Sequence, residues 1–369
     1  MTASIGDRLR YARERAGLTL QQLCERTKIG ISSLSEYESG KREPRLAQLQ
    51  ALAETLHRSI AFFLEPGALP KEIVLWSEKP AAQQAQELEG RFRRLCEQYH
   101  NLEVWCGERG AMDLPFQNGA PENFGSDQAE ALAYKVLQHL QLGSRPALAL
   151  LSVLEESCGV KVFHLDFDPA GSAACILSDT LGAGILLNAR NVRWRRNFDL
   201  AHELFHLLTW AIFQPARRGD VCDQDRDEKL ATCFARHLLM PREAVKLAIG
   251  DIEQKRALSH DDLFDLARQF DVSMEAVLWH IAFLYNRSEE QTRDNLACCK
   301  ALFNVWEDRE PYRPSVRPAR FEALAVKALR SGELSLGRFA EYMGISRREA
   351  QRYVQQGPVN EQEVQIASS

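Results

Sequence analysis

The stretch Phe198-Asp199-Leu200-Ala201-His202-Glu203-Leu204-Phe205-His206 decides how this chain is read. Leu200, Ala201, Leu204, Leu207 and Leu208 supply apolar positions for a helix over Leu200–Ala211, and Asp199 stands where an N-cap is expected. On such a helix His202 and His206 are four residues apart and share one face, so both imidazoles reach a single Zn²⁺. Glu203 projects beside the metal without binding it. There it can take a proton from a water and hand it to a leaving amine. Upstream, a strand ending at Leu187-Asn188 is expected, and as an edge strand it would let an extended peptide add backbone hydrogen bonds.

A catalytic zinc needs a third protein ligand and an open position. Glu228 follows His206 within a second predicted helix, and Asp220, Asp223, Asp225, Asp227 and His237 compete with it. The run Asp223-Gln-Asp225-Arg-Asp227 has the start of a calcium loop but carries Glu228 where that loop requires glycine. His237 sits about 180° around the helix from Glu228 and cannot share its face. Spacing alone leaves Glu228 only favoured among the acids.

The rest of the chain gives this motif its setting. Its 369 residues suggest two or three domains, and 45% apolar with 26% charged residues excludes a disordered, collagen-like or purely coiled-coil chain. No apolar run is long enough for a membrane span. Nine cysteines without a Cys-x-x-Cys pair indicate neither a disulfide framework nor a cysteine-based zinc finger, and a cytoplasmic home is expected. Residues 1–60 hold ten Lys/Arg against seven acids within a chain of net charge −5, a basic head on an acidic body.

Residues 6–64 read as four short helices, the first stopped by Gly17 and the second capped by Thr19. Pro66, Pro70 and Pro80 mark a linker over 66–80. Beyond it Ala81, Ala85, Leu88, Phe92, Leu95, Tyr99 and Leu102 keep a 4-3-4-3 rhythm. That rhythm fits either a coiled-coil seam in a homodimer or a helix packed on its own chain. A second loop covers 107–126. Helices at 127–141 and 145–157 precede strands at Val160–Leu165, Ala173–Leu177 and Ala183–Leu187, and helices resume through 285. Residues 313–354 carry nine Arg/Lys against four Glu. There Leu336–Met343, Gly344-Ile345-Ser346 and Arg347–Val354 imitate a helix-turn-helix rhythm, and the last fifteen residues read as a frayed tail.

The motif helix, together with Glu228-Lys-Leu-Ala231-Thr232-Cys233-Phe234-Ala235 and the closing Leu238-Leu239-Met240-Pro241, resembles the two signatures of the ImmA/IrrE family of metallopeptidases. The resemblance implies Zn²⁺ held by His202, His206 and Glu228, with Glu203 as general base. The chain departs from the family with Phe205 where glycine is common and Thr232 where asparagine is common. Thr232, one turn after Glu228, could orient it from outside the ligand set.

Leu18-Thr19-Leu20-Gln21-Gln22-Leu23, Ser35-Glu36-Tyr37-Glu38-Ser39-Gly40-Lys41 and Pro44 resemble an XRE-type helix-turn-helix. That resemblance places Ile31, Ser32, Ser33 and Glu36 at base edges of double-stranded operator DNA, with Gln21, Lys41 and Arg42 on phosphates. This recognition helix lacks Arg, Asn and Gln, and Glu36 repels phosphate.

The expected fold is mainly α with a small α+β zincin-like peptidase domain, an N-terminal all-α head and a C-terminal helical tail. The expected divisions are 1–65 for the helix-turn-helix, 66–126 for the linker and its helix, 127–285 for the peptidase, and 286–369 for the basic helical region. Two functions follow. The first is a zinc endopeptidase coupled to transcription, cleaving an XRE-type repressor, an antitoxin-like regulator or its own linker. The second is a DNA-binding regulator or antitoxin whose peptidase-like domain is sensory and does not cleave.

Overall fold

In the computed structural model the described residues are 3–15, 18–56, 58, 60–64, 73–108, 112–168, 173–178, 181–213, 221–254, 256, 258–303 and 313–355. Gly17, residues 66–72 of the expected proline linker and residues 356–369 of the tail lie outside them. Among them no helix is long and apolar enough to cross a membrane.

The head comprises α1 (Ile5–Arg15), α2 (Leu20–Thr27), α3 (Ile31–Glu38), α4 (Leu46–Leu56) and α5 (Ile60–Leu64). Thr19 caps α2 by accepting from the Gln22 amide, and Gln22 reaches back to the Thr19 amide. Leu9, Leu23, Leu34, Tyr37, Leu52 and Phe63 fill a separate small core. The Arg13 guanidinium donates to both Glu38 carboxylate oxygens at 2.6 and 2.9 Å, which fixes α1 against the end of α3.

The body follows as β1 (Val74–Trp76), α6 (Ala82–Cys106), α7 (Ser126–His139), α8 (Leu150–Glu156), β2 (Lys161–Leu165), β3 (Ala174–Ser178) and β4 (Gly182–Asn188). Then come α9 (Arg193–Leu208), α10 (Trp210–Phe213), α11 (Val221–Leu239), α12 (Arg242–Glu253), α13 (His260–Phe270), α14 (Met274–Leu284) and α15 (Glu289–Phe303). The chain closes with α16 (Ala319–Arg330), α17 (Leu336–Met343) and α18 (Arg347–Gln355). The molecule is thus mainly helical around one small mixed sheet.

The sheet order is β1-β3-β4-β2, with β2 parallel to β4 and the other pairs antiparallel. Two expectations change here. β4 is an interior strand, so no peptide can add to it. A strand lies where only linker was expected: β1 pairs with the outer edge of β3, Leu75 opposite Cys175. Three residues are too few to show an alternating pattern, and the pairing that makes them a strand is remote in sequence.

Alternation along the strands divides the interior in two. Leu75, Val162, Cys175, Ile185 and Leu187 face a core shared with α7, α8, α9, α11, α13 and α14. Trp76, Phe163, Leu165, Ile176 and Leu186 face a second core with α6, α16, α17 and α18. The heptad-spaced Ala85, Leu88, Phe92, Leu95, Tyr99 and Leu102 are all buried in this same chain. They meet the sheet and the C-terminal helices, so the seam is filled from within. Arg320 and Lys161 both reach the buried Glu103, at 2.7 and 2.9 Å, and tie α16 and β2 to α6.

Gly184 sits where α6 crosses β4. A Cβ there would stand 2.9 Å from Cys96 Sγ and 3.0 Å from Ile176 Cγ2. Gly184→Ala is therefore expected to destabilise the protein by ~1–3 kcal/mol through overpacking, measured by urea unfolding. A second outcome concerns Glu155, whose carboxyl burial lifts to about 8 from the ordinary 4.5, with repulsion from Glu156 adding to the effect. The folded state then holds more protons than the unfolded one between those values, so stability falls as pH rises through that window. Glu155→Gln should remove this slope, leaving stability little changed near about pH 5 and raising it near about pH 9.

Candidate metal centre and nucleic-acid interface

α9 begins at Arg193, with Val192 as its N-cap, a full two turns before the expected start. Asp199 is therefore inside the helix and not its cap. The polar run Arg193-Trp194-Arg195-Arg196-Asn197 hid those first turns from an apolar-periodicity reading. Asp199 is buried, accepts from Asn191 Nδ2 at 2.9 Å and pairs with Arg195 at 2.9 Å. Every residue from Asp199 to Leu208 is buried, because the sheet covers one side of α9 and α11 the other.

His202, His206 and Glu228 converge. The two Nε2 atoms are 3.3 Å apart; His202 Nε2 lies 2.8 Å from Glu228 Oε2, and His206 Nε2 lies 3.5 Å from Glu228 Oε1. Metal–donor bonds of ~2.0 Å in a tetrahedral site imply donor–donor separations of roughly 3.3 Å, so this spacing suits one small cation. Two imidazoles and a carboxylate are also a donor set of the right hardness for Zn²⁺. Among the described residues this is the cluster that could hold a metal ion. Of the competing acids, Asp223, Asp225 and Asp227 belong to the helical stretch of α11 and make no loop, while Asp220 lies outside the described residues. His237 packs instead against His280 and Phe283, with Nδ1 3.7 Å from Glu130. Thr232 is half-buried one turn from Glu228 and makes no hydrogen bond to it among the described contacts.

Burial drives Glu228 upward, but hydrogen bonds from His202 and His206 together with their charge outweigh it and hold the carboxyl at about 2. Glu203 is 0% exposed, and burial lifts it to about 8 against the opposing pull of His202 and of the Cys175 thiol on β3. Asp199 is likewise lifted by burial to about 6, opposed by Arg195 and Asn191. His164, on β2, borders Arg196 and residues 315–316.

Phe205 occupies the position where the resembled family often has glycine. Its ring packs 5.6 Å from Phe234, 5.9 Å from Phe124 and 6.1 Å from Phe213. The expected loop is thereby drawn into the core, where Arg226 donates to the Pro121 and Phe124 carbonyls and Leu208 accepts from the Gln117 amide. Sequence reading missed this aromatic cluster because its members are spread over four segments.

In the head, Ile31 (46% exposed) and Ser32 are on the open face of α3, while Ser33 and Glu36 are half-buried. Gln21, Lys41 and Arg42 are exposed around it. The Arg42 guanidinium stands 3.9 Å from Glu36, which offsets the carboxylate that opposes phosphate.

Phe205→Ala should cost ~3–5 kcal/mol by opening a cavity lined by the Phe124, Phe213 and Phe234 rings, read as a shifted denaturation midpoint with the slope unchanged.

Comparison with known proteins gives two family matches: a helix-turn-helix model over residues 9–63, and the Peptidase M78 model, described as an IrrE N-terminal-like domain, over residues 155–281. No curated protein matches the chain. Among solved structures, ComR from Streptococcus suis aligns at 12% identity over 96% of this chain and 88% of that one, with a TM-score of 0.16. PlcR from Bacillus thuringiensis, solved with the peptide PapR7 and DNA, aligns at 12% identity over 95% and 94%, with a TM-score of 0.17. The chain therefore joins an XRE-type helix-turn-helix to a peptidase domain of the ImmA/IrrE kind in a single polypeptide.

Proposed function

We propose that this protein is a zinc-dependent endopeptidase coupled to transcriptional regulation, whose substrate is an XRE-type repressor or an antitoxin-like regulator. The convergence of His202, His206 and Glu228 beside a buried Glu203 carries the reading. His202 and His206 from α9 and Glu228 from α11 would hold the metal. Zn²⁺ bound there supplies Lewis acidity toward a water and a peptide carbonyl. Glu203 takes the proton of the attacking water as the C–O bond forms, and returns it to the amine as the C–N bond breaks. Asp199, Asn191 and Arg195 hold the first half of α9 in place, so the imidazoles stay oriented. The head would bring this activity to operator DNA through Ile31, Ser32, Ser33 and Glu36, with Gln21, Lys41 and Arg42 on the backbone.

One observation favours the second reading, a regulator whose peptidase-like domain does not cleave. Residues 74–76 occupy the outer edge of β3 opposite Cys175, whose thiol borders Glu203. A peptide cannot pair with that edge while β1 is seated on it.

Metal analysis and cleavage of XRE-type regulators, using wild type and Glu203→Gln, separate the two. The first reading expects about one zinc per chain in both proteins, with cleavage slower by ~10²–10⁴-fold in the variant. Zinc in both without cleavage of any regulator or of the chain itself would establish the second. Glu228→Gln should lower zinc content, and no zinc in wild type would remove the metal assignment.

A further inference from the structure

We infer that the C-terminal helices form a second, basic helix-turn-helix that binds duplex DNA, with α18 as the helix that enters the groove. The head supplies the internal standard. Thr19 and Ser335 each cap an eight-residue helix by accepting the amide three residues on. Each helix ends at a left-handed residue, Lys28 (φ 59°) and Gly344 (φ 66°), whose amide donates to the carbonyl four back, Cys24 and Ala340. An isoleucine follows in both, Ile29 and Ile345. Then comes the residue before the second helix, Gly30 and Ser346, whose carbonyl accepts at 3.0 Å from Leu34 and from Ala350. Leu23 and Phe339 are buried at matching places, as are Leu34 and Ala350. All these pairs lie at one constant offset along the chain, so the two hairpins share their turn, their caps and their buried contacts.

The turn alone does not make a DNA reader, and this protein contains the control. α13 and α14 are joined through left-handed Asp271 (φ 53°), Val272 and the capping Ser273, with Val277 donating back to the Ser273 carbonyl. Yet α14 contains no Lys or Arg, and Val277, Leu278, His280, Ile281 and Ala282 are buried. α18 is the opposite: Arg347, Arg348, Gln351 and Arg352 are all exposed. They are the side chains suited to guanine, adenine and phosphate, and α3 has none of them. Glu349 is the one acid on α18, and it is engaged in capping, accepting from the Ser346 amide and hydroxyl at 2.8 and 2.7 Å. The unit packs against α16, which in turn packs on α6 with Arg320 on Glu103 and Lys327 on Glu108. This assignment is independent of proteolysis.

The test uses the full chain and a labelled random duplex of about 30 base pairs, titrated by anisotropy between about 50 and 200 mM salt. Compared with wild type are a head variant (Ser32→Glu with Ser33→Glu) and a tail variant (Arg347→Gln, Arg348→Gln and Arg352→Gln). The head variant should lose the head's own share of binding and keep the salt-dependent remainder that the tail supplies. The tail variant should lose most of it, with the log–log salt slope smaller by roughly 0.9 per phosphate contact removed. Replacing the same three arginines by lysine should preserve the slope, which separates lost charge from lost folding. The inference is overturned if the tail variant binds duplex as wild type does, if the head variant abolishes all binding, or if the tail-dependent binding goes to an RNA of the same sequence in preference to DNA.

Discussion

Four ionisable side chains, Asp199, His202, Glu203 and His206, lie on a stretch of α9 that has no solvent face, and the rest of the body is arranged around that constraint. An isolated charge in such a place is untenable, so each group must be paired or neutralised. The arrangement does both. Asp199 is tied to Asn191 and Arg195; the imidazoles meet Glu228 from α11; and burial lifts Glu203 above the ordinary carboxylate range against the pull of His202. A helix buried all round can survive only between two substantial layers. That explains why a sheet of four short strands has helices on both faces.

The sheet also explains what the sequence could and could not disclose. The other three strands were legible because Ala173–Leu177 and Ala183–Leu187 are unbroken apolar runs, as strands covered on both faces should be, and Val160–Leu165 is interrupted only by Lys161 and His164. Their order was not legible, since it depends on which remote segment takes the edge of β3. Val74-Leu75-Trp76 takes it, and nothing in three residues announces that. The shared face of the two histidines was visible because a four-residue spacing on a helix is rigid geometry, whereas spacing left Glu228 only favoured among the acids and the resemblance of the second signature singled it out. The first turns of α9 were not, because their residues are polar where the periodicity reading looked for apolar ones.

Phe205 shows a different limit. A single unexpected side chain beside a histidine reads as a departure from a pattern. In three dimensions it is the centre of an aromatic cluster joining α9, α10, α11 and the loop before α7. Its ring packing stands beside His206, whose Nε2 still meets His202 and Glu228.

The remaining question is how a DNA-binding head could influence a site on the far side of the sheet, and α6 is the element that makes contact possible. Arg58 at the end of the head pairs with Glu97 of α6 at 2.6 Å, both side chains largely buried, and its guanidinium lies over the Phe62 ring. Within the next two turns of α6, Tyr99 and Glu103 engage Arg320 of α16, and Glu103 also holds Lys161 of β2. The apolar side of the same helix crosses β4 at Gly184, where there is no room for a methyl group. Packing this close transmits displacement, since interiors yield little. The opposite face of that sheet carries α9. Breaking the Arg58–Glu97 pair would leave a largely buried charge on α6, so the contact between the head and α6 depends on keeping both partners.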